Sequence, residues 1–181
     1  MSNTIIIEEP HQVVESQEVR DFRLMKLAYQ YAIINSTDPS TQNGAVLIDD
    51  VSTDPLVYSA NHFPKGVKET PERWERPLKY SYVEHAERNA IFNAAKQGIA
   101  TKGLVMYCPW HSCADCGRAI IQAGIKEVIG HQFVDTHERA QWYESIKVSI
   151  GMLEEAGVKC RWITGKVGIE GLRFNGKLVN R

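Results

Sequence analysis

Between Gln17 and Asn35 the apolar residues Phe22, Met25, Leu27, Ala28, Tyr31, Ala32 and Ile34 recur mostly three or four positions apart, the spacing of a helix with one buried face. Ser36-Thr37-Asp38-Pro39-Ser40 breaks that pattern, being a cluster of turn-forming residues. Two short apolar runs follow, Gly44 to Ile48 and Leu56 to Ala60, around a polar turn containing Asp49, Asp50 and Pro55, which predicts a strand hairpin. A loop with Pro64, Gly66, Pro71 and Pro77 then runs from His62 to about Tyr80. Loops of that length in compact domains are usually functional lids or disordered segments.

Beyond the loop the pattern alternates. A helix carrying His85 and Glu87 runs to about Gln97 and stops at Gly98, Leu104 to Tyr107 forms a third strand, and Cys113 to Ala123 a helix stopped by Gly124. Glu127 to Ile129 forms a fourth strand, a helix capped by Asp135 or Thr136 reaches Ala156 and ends at Gly157, and Val158 to Trp162 forms a fifth strand. Strand-helix-strand alternation predicts right-handed crossovers, so strands three to five are expected to be parallel. Asn175-Gly176, between alternating residues of Leu172 to Val179, predicts a terminal hairpin. The expected organisation is an N-terminal arm over 1–16, an α/β domain over 17–162 and a C-terminal hairpin extension over 163–181.

Composition narrows the class. The 181 residues are 43% hydrophobic and 24% charged, the balance of one globular domain. No apolar run approaches the roughly 20 residues of a membrane span, and Ile5-Ile6-Ile7 is flanked by acids rather than built like a signal peptide, so a cytoplasmic protein without membrane contact is expected. A net charge of −1 argues against a nucleic-acid partner, which favours a basic face, and for a small-molecule substrate. Four cysteines, two of them three positions apart, fit a reducing compartment better than a disulfide framework.

The chemistry concentrates in His85-Ala86-Glu87 and Cys113-Ala114-Asp115-Cys116. One imidazole and two thiolates suit a single Zn2+, whose tetrahedral preference leaves a fourth position for water or substrate. Cys113 and Cys116 at i, i+3 face one side of a helical turn, and amides at that helix N-terminus favour thiolate over thiol. Glu87 at a helix start is placed to contact water at the metal without ligating it. A redox Cys-x-x-Cys pair and a closed structural zinc site with Cys108 as fourth ligand compete with this reading. Cys108 reads as a buried strand-end residue, and His111 reads as a loop histidine rimming the pocket, with ligation as its alternative.

A His-x-Glu followed downstream by Cys-x-x-Cys marks zinc nucleobase deaminases. Together with Asp38–Val46, Asn61–Val67, Lys79–Ile91 and Cys113–Ile125, these residues resemble the cytidine and deoxycytidylate deaminase superfamily, in particular its deoxycytidylate deaminase type. The likeness covers about residues 20–162. It implies a three-layer α/β/α fold with a five-stranded mixed sheet, zinc on His85, Cys113 and Cys116, Glu87 as catalytic proton shuttle, and a homo-oligomer. It also implies conversion of dCMP to dUMP and ammonia, with Asn61 on the substrate sugar. Lys65 or a loop arginine is the expected phosphate contact, from a set that includes Lys68, Arg73, Arg76, Lys79, Arg88 and Arg118; Trp110, Trp74 and Phe63 are candidates to stack on the base. Ser112, His62 and Arg88 depart from the residues the family usually has there. Rival readings are a deaminase of another base or nucleoside, a tRNA or single-stranded DNA editor, and a zinc-stabilised binding module, against which Glu87 speaks.

Overall fold

The first helix forms because Ser16 caps it, its hydroxyl accepting from the Val19 amide at 3.3 Å, and because Leu24, Met25, Ala28, Tyr29 and Ala32 bury one stripe of α1 (Gln17–Asn35). The computed structural model describes residues 15–132 and 142–181; most of the expected N-terminal arm and the Asp135 or Thr136 cap lie outside them. After α1 come β1 (Gly44–Ile48), β2 (Val57–Ala60), a 3-10 turn (Pro71–Trp74), α2 (Lys79–Tyr82), α3 (Ala86–Gln97) and β3 (Val105–Tyr107). The chain continues through α4 (Ala114–Gln122), β4 (Glu127–Gln132), α5 (Tyr143–Glu155), β5 (Lys159–Thr164), β6 (Leu172–Phe174) and β7 (Lys177–Val179).

The main sheet has the order β2-β1-β3-β4-β5. β1 runs antiparallel to both β2 and β3, whereas β3, β4 and β5 are parallel, as the crossover pattern predicts. The central strands are buried on both faces, and alternation sorts their side chains between two cores. Val46, Ile48, Val105, Tyr107 and Ile129 point toward α1 and the C-terminal segment. Leu47, Met106 and Val128, direct cross-strand neighbours, point with Ala86, Ala90, Ala94, Ile120 and Leu153 into the core beneath α3, α4 and α5. This makes three layers.

Gly44 is where α1 presses on β1. A Cβ there would stand 2.1 Å from the Ala28 carbonyl oxygen, so no larger residue fits without moving backbone. A polar knot also ties α1 to the sheet. Asp21, 4% exposed, accepts from Arg161 at 2.6 and 3.1 Å, from the Tyr107 hydroxyl at 2.6 Å and from Gln17 at 2.7 Å. Burial alone would push its carboxyl up, but the bonds from Arg161, Tyr107 and Gln17 hold it below the usual range.

The C-terminal hairpin turns through Asn175 (φ 46°) and Gly176 (φ 75°), the left-handed pair that Asn-Gly supplies. It is anchored to the body: Leu172 and Ile169 belong to the core on the α1 side. The Gln42 amide donates to Arg173 O at 2.9 Å, the Arg173 amide to Gln42 Oε1 at 2.8 Å, and the Gly176 amide to Ser40 O at 2.9 Å.

A candidate zinc and substrate site

Two helix starts meet at the carboxyl end of the parallel strands, where open α/β sheets place their ligand sites. His85 caps α3 and Cys113 caps α4, both in extended backbone. α3 is held to β2 by Ser59, whose hydroxyl donates to Ala86 O at 2.7 Å, and by Asn89, whose amide donates to Ala60 O at 2.9 Å. α4 is held by α5: Ser145 Oγ accepts from the Ala114 amide at 3.0 Å, and Ser149 Oγ lies 2.9 Å from Ser112 Oγ. Ser112, where the family usually has proline, thus packs as one half of a buried hydroxyl pair. A Cβ on Gly117 would lie 2.4 Å from Ser149 Oγ, which records how closely α4 and α5 approach.

His85 Nδ1 stands 3.5 Å from both Cys113 Sγ and Cys116 Sγ. Zinc with Zn–N of about 2.05 Å and Zn–S of about 2.3 Å at the tetrahedral angle requires about 3.6 Å between nitrogen and sulfur, so the donor set fits the ion. Among the described residues these three are the group of potential ligands whose donor atoms gather within 4.8 Å. Cys108 is outside it; its sulfur accepts from Asn43 Nδ2 at 3.4 Å and the side chain is fully buried. His111 is outside it too, packed on Trp162 with ring centroids 4.5 Å apart. The sulfurs share a proton unequally. A hydrogen bond from Cys116, reinforced by His85 against the effect of burial, pulls Cys113 down to about 4, while the same bond and burial raise Cys116.

Glu87 is 2% exposed, and its Oε2 is buried with no hydrogen-bond partner from the protein. Burial raises its carboxyl. A buried carboxyl oxygen left without a partner is uncommon in folded proteins, and it shares the wall of a cavity of about 110 Å³ with His85 and Cys113.

The cavity brings together only part of the expected substrate set. Trp110 lines it, with one indole face stacked on Phe174 at 4.4 Å and 13°. Asn61 lines it as well, but its amide is committed to the protein: Oδ1 accepts from the Asn43 amide and Ser36 Oγ at 2.8 and 2.7 Å, and Nδ2 donates to Thr41 O and Asp38 at 2.8 and 3.2 Å. Lys65 is exposed in a turn and is not part of the lining. Phe63 and Trp74 stack on each other at 4.2 Å and pack the loop rather than line the cavity. Arg88 pairs with Glu84, whose Oε1 also accepts from the His85 amide at 3.1 Å.

Sequence reasoning missed several walls. Trp142 crosses His85 edge-on, ring centroids 5.7 Å apart, and lines the cavity with Tyr80, Ile146, Phe174 and Asn175. Among the described residues, Lys79 and Arg76 are the cations that the lining includes. Lys79 is 3% exposed and bonded to both oxygens of Asp38 at 2.7 and 3.0 Å.

A family model described as the cytidine and deoxycytidylate deaminase zinc-binding region matches residues 18–132. The "Uncharacterized deaminase in luxG 3'region" of Aliivibrio fischeri is 34% identical over 128 residues, covering 71% of this chain and 83% of that protein. Deoxycytidylate deaminase of Homo sapiens is 41% identical over 101 residues, 52% of this chain and 54% of that one; the chain thus spans about half the length of that relative. Among solved structures, the dCMP deaminase of cyanophage S-TIM5 in complex with dCMP and dUMP has a similar fold, with a TM-score of 0.61 at 24% identity over 83% of this chain and all of that one.

Proposed function

The chain belongs to the cytidine and deoxycytidylate deaminase family, and from that premise we propose that it converts dCMP and water to dUMP and ammonia. The observation that supports this reading most is Glu87, a buried carboxyl whose Oε2 no protein donor reaches, in one cavity wall with the His85 and Cys113 ligands. A structural zinc site has no use for it.

Zinc held by His85, Cys113 and Cys116 would make water a nucleophile at neutral pH. Glu87 takes the proton released as the water oxygen bonds to C4 of the cytosine ring, and passes it to N3. A second proton transferred by Glu87 lets the C4 nitrogen leave as ammonia, and the C4 carbonyl forms. Burial suits Glu87 to this task, because a carboxyl raised above its usual range both accepts and returns a proton. Trp110 and Trp142 exclude water around the ring, and the Asn61 end of the cavity takes the sugar. Proline at 112 is not needed for this chemistry, since Ser112 holds the α4 start through Ser149.

The same reading takes the enzyme to be cytoplasmic and homo-oligomeric. None of its four cysteines is in a disulfide, which fits a reducing compartment, and no described helix is long and apolar enough to cross a membrane. The test is ammonia release from dCMP, dCTP, cytidine, cytosine and guanine, with and without a zinc chelator. The expected result is chelator-sensitive turnover with the highest kcat/KM for dCMP. Preference for guanine or a free base overturns the substrate, and absence of turnover from every compound by zinc-loaded protein overturns the activity.

A further inference from the structure

The hairpin β6–β7 lies beyond the matched family region, which ends at residue 132, yet its tip forms part of the cavity wall through Phe174 and Asn175. Arg76 lines the same cavity and is exposed at its mouth. Its Nη2 donates to Asn175 Oδ1 and to Ser40 Oγ, both at 3.3 Å. These neutral acceptors aim the guanidinium without neutralising it. The other lining cation among the described residues, Lys79, is paired with Asp38, and Lys65 stands outside the lining.

We infer that Arg76 anchors the 5′-phosphate of a nucleoside monophosphate and that Asn175, at the tip of the C-terminal hairpin, is the positioning residue that aims it. The inference rests on the deaminase reading above and deepens it by naming the residues that tell a nucleotide from a nucleoside. A guanidinium presents several N–H donors in a fixed fork that matches phosphate oxygens. The hairpin tip is fixed well enough to serve as a mount. The Asn175 amide donates to Thr41 Oγ1 at 3.3 Å, the Gly176 amide to Ser40 O at 2.9 Å, and Arg173 Nη1 to Asp38 O at 3.3 Å. Phe174, 7% exposed, closes the wall by stacking on Trp110. Phosphate recognition is thereby assigned to one residue of the long loop and one residue 99 positions further along the chain.

Removing the hairpin would take Leu172 out of the core on the α1 side, where Ile169 also packs, so point variants of the full, zinc-loaded chain are the test. Asn175→Gly keeps the left-handed turn that φ 46° requires and removes only the side-chain acceptor. It is expected to raise KM for dCMP about 3- to 10-fold, and Arg76→Gln about 10- to 100-fold. Both should leave KM for deoxycytidine within about twofold and kcat for both substrates nearly unchanged. The double variant is expected to match Arg76→Gln alone, because Asn175 acts through Arg76. A general folding defect would lower activity on both substrates together. An unchanged KM for dCMP, equal rises for dCMP and deoxycytidine, or additive effects in the double variant would overturn the assignment. Wild-type protein that handles deoxycytidine as well as dCMP overturns phosphate anchoring while the deaminase reading stands; no ammonia from either overturns both.

Discussion

Asp38→Ala offers a severe test of how the cavity wall is built. The Asp38 carboxylate is 2% exposed and accepts from Lys79 Nζ at 2.7 and 3.0 Å, from the Ser40 and Thr41 amides at 2.8 and 3.0 Å, and from Asn61 Nδ2 at 3.2 Å. Truncation leaves the Lys79 ammonium, 3% exposed, without its counter-charge. Removing one partner of a buried pair costs about 3–5 kcal/mol. The Ser40 and Thr41 amides lie nearer the surface, where water can replace the lost acceptor, so the ammonium dominates. Against a total stability of about 5–15 kcal/mol, that is about a fifth or more of what holds the chain folded. At about 2–4 °C per kcal/mol for a chain of this size, Tm should fall by about 6–20 °C. Urea and thermal unfolding of the zinc-loaded protein measure both quantities. Asp38→Ala combined with Lys79→Met should recover part of the loss, since a well-packed apolar replacement of both members is often neutral or stabilising. A single variant that loses less than about 1 kcal/mol, or a double variant as unstable as the sum of the singles, would refute the reasoning.

Glu87→Gln should bind zinc with unchanged stoichiometry and lose about 10²- to 10⁴-fold in kcat, read by ammonia release beside metal analysis; near-normal turnover removes Glu87 from the mechanism. Gly44→Ala sets a Cβ 2.1 Å from the Ala28 carbonyl oxygen and should cost about 1–3 kcal/mol or more in urea unfolding, and a neutral result would mean α1 is not seated as described. Asp21 has a folded pKa below its unfolded value of about 3.9, so its contribution is complete above about pH 5 and is lost as pH falls through 4 toward the folded value. Asp21→Asn should therefore destabilise at neutral pH and flatten the acid limb of the stability profile; an acid limb as steep as wild type assigns it to other carboxylates. Stripping zinc should lower Tm, and readdition should raise it as unfolding free energy grows with the logarithm of free zinc, by about 2.7 kcal/mol at 100 times Kd. A Tm indifferent to zinc would mean that the His85–Cys113–Cys116 cluster does not hold the ion.

The sheet was readable in the sequence because each central strand is buried on both faces and therefore appears as an apolar run bounded by turn residues. The strands ran longer than the pattern shows: β4 continues through Gly130 and the buried His131 to Gln132, and β5 through the buried Ile163 to Thr164, because glycine and histidine interrupt the apolar run while the β4–β5 pairing carries on across them. The metal ligands were readable for a different reason. A tetrahedral ion needs donors from adjacent turns, so two of its three ligands carry a short fixed spacing. The pocket walls carry no such signature. Trp142, Phe174 and Asn175 are residue types that serve equally in cores and turns, and they reach the site only through the packing of α5 and the terminal hairpin. Among the loop cations, charge alone does not separate Lys65 from Lys79; the single helical turn of α2 directs Lys79 inward onto Asp38.

The residues that depart from the family pattern follow the same logic. Ser112 pairs with Ser149, 37 positions away, and the Ser149 hydroxyl occupies the space that the missing side chain of Gly117 leaves. Ser112 just before α4, Gly117 on α4 and Ser149 on α5 thus form one packing solution for the helix start that presents Cys113. Arg88 bonds the Glu84 carboxylate that also takes the His85 amide, so it braces the other ligand helix start. Both departures act on the mounting of the ligands, not on the donor atoms or on Glu87. The walls are where residues from outside the matched region enter the site: Trp142 and Ile146 from the α5 side, and the hairpin tip that reaches Arg76.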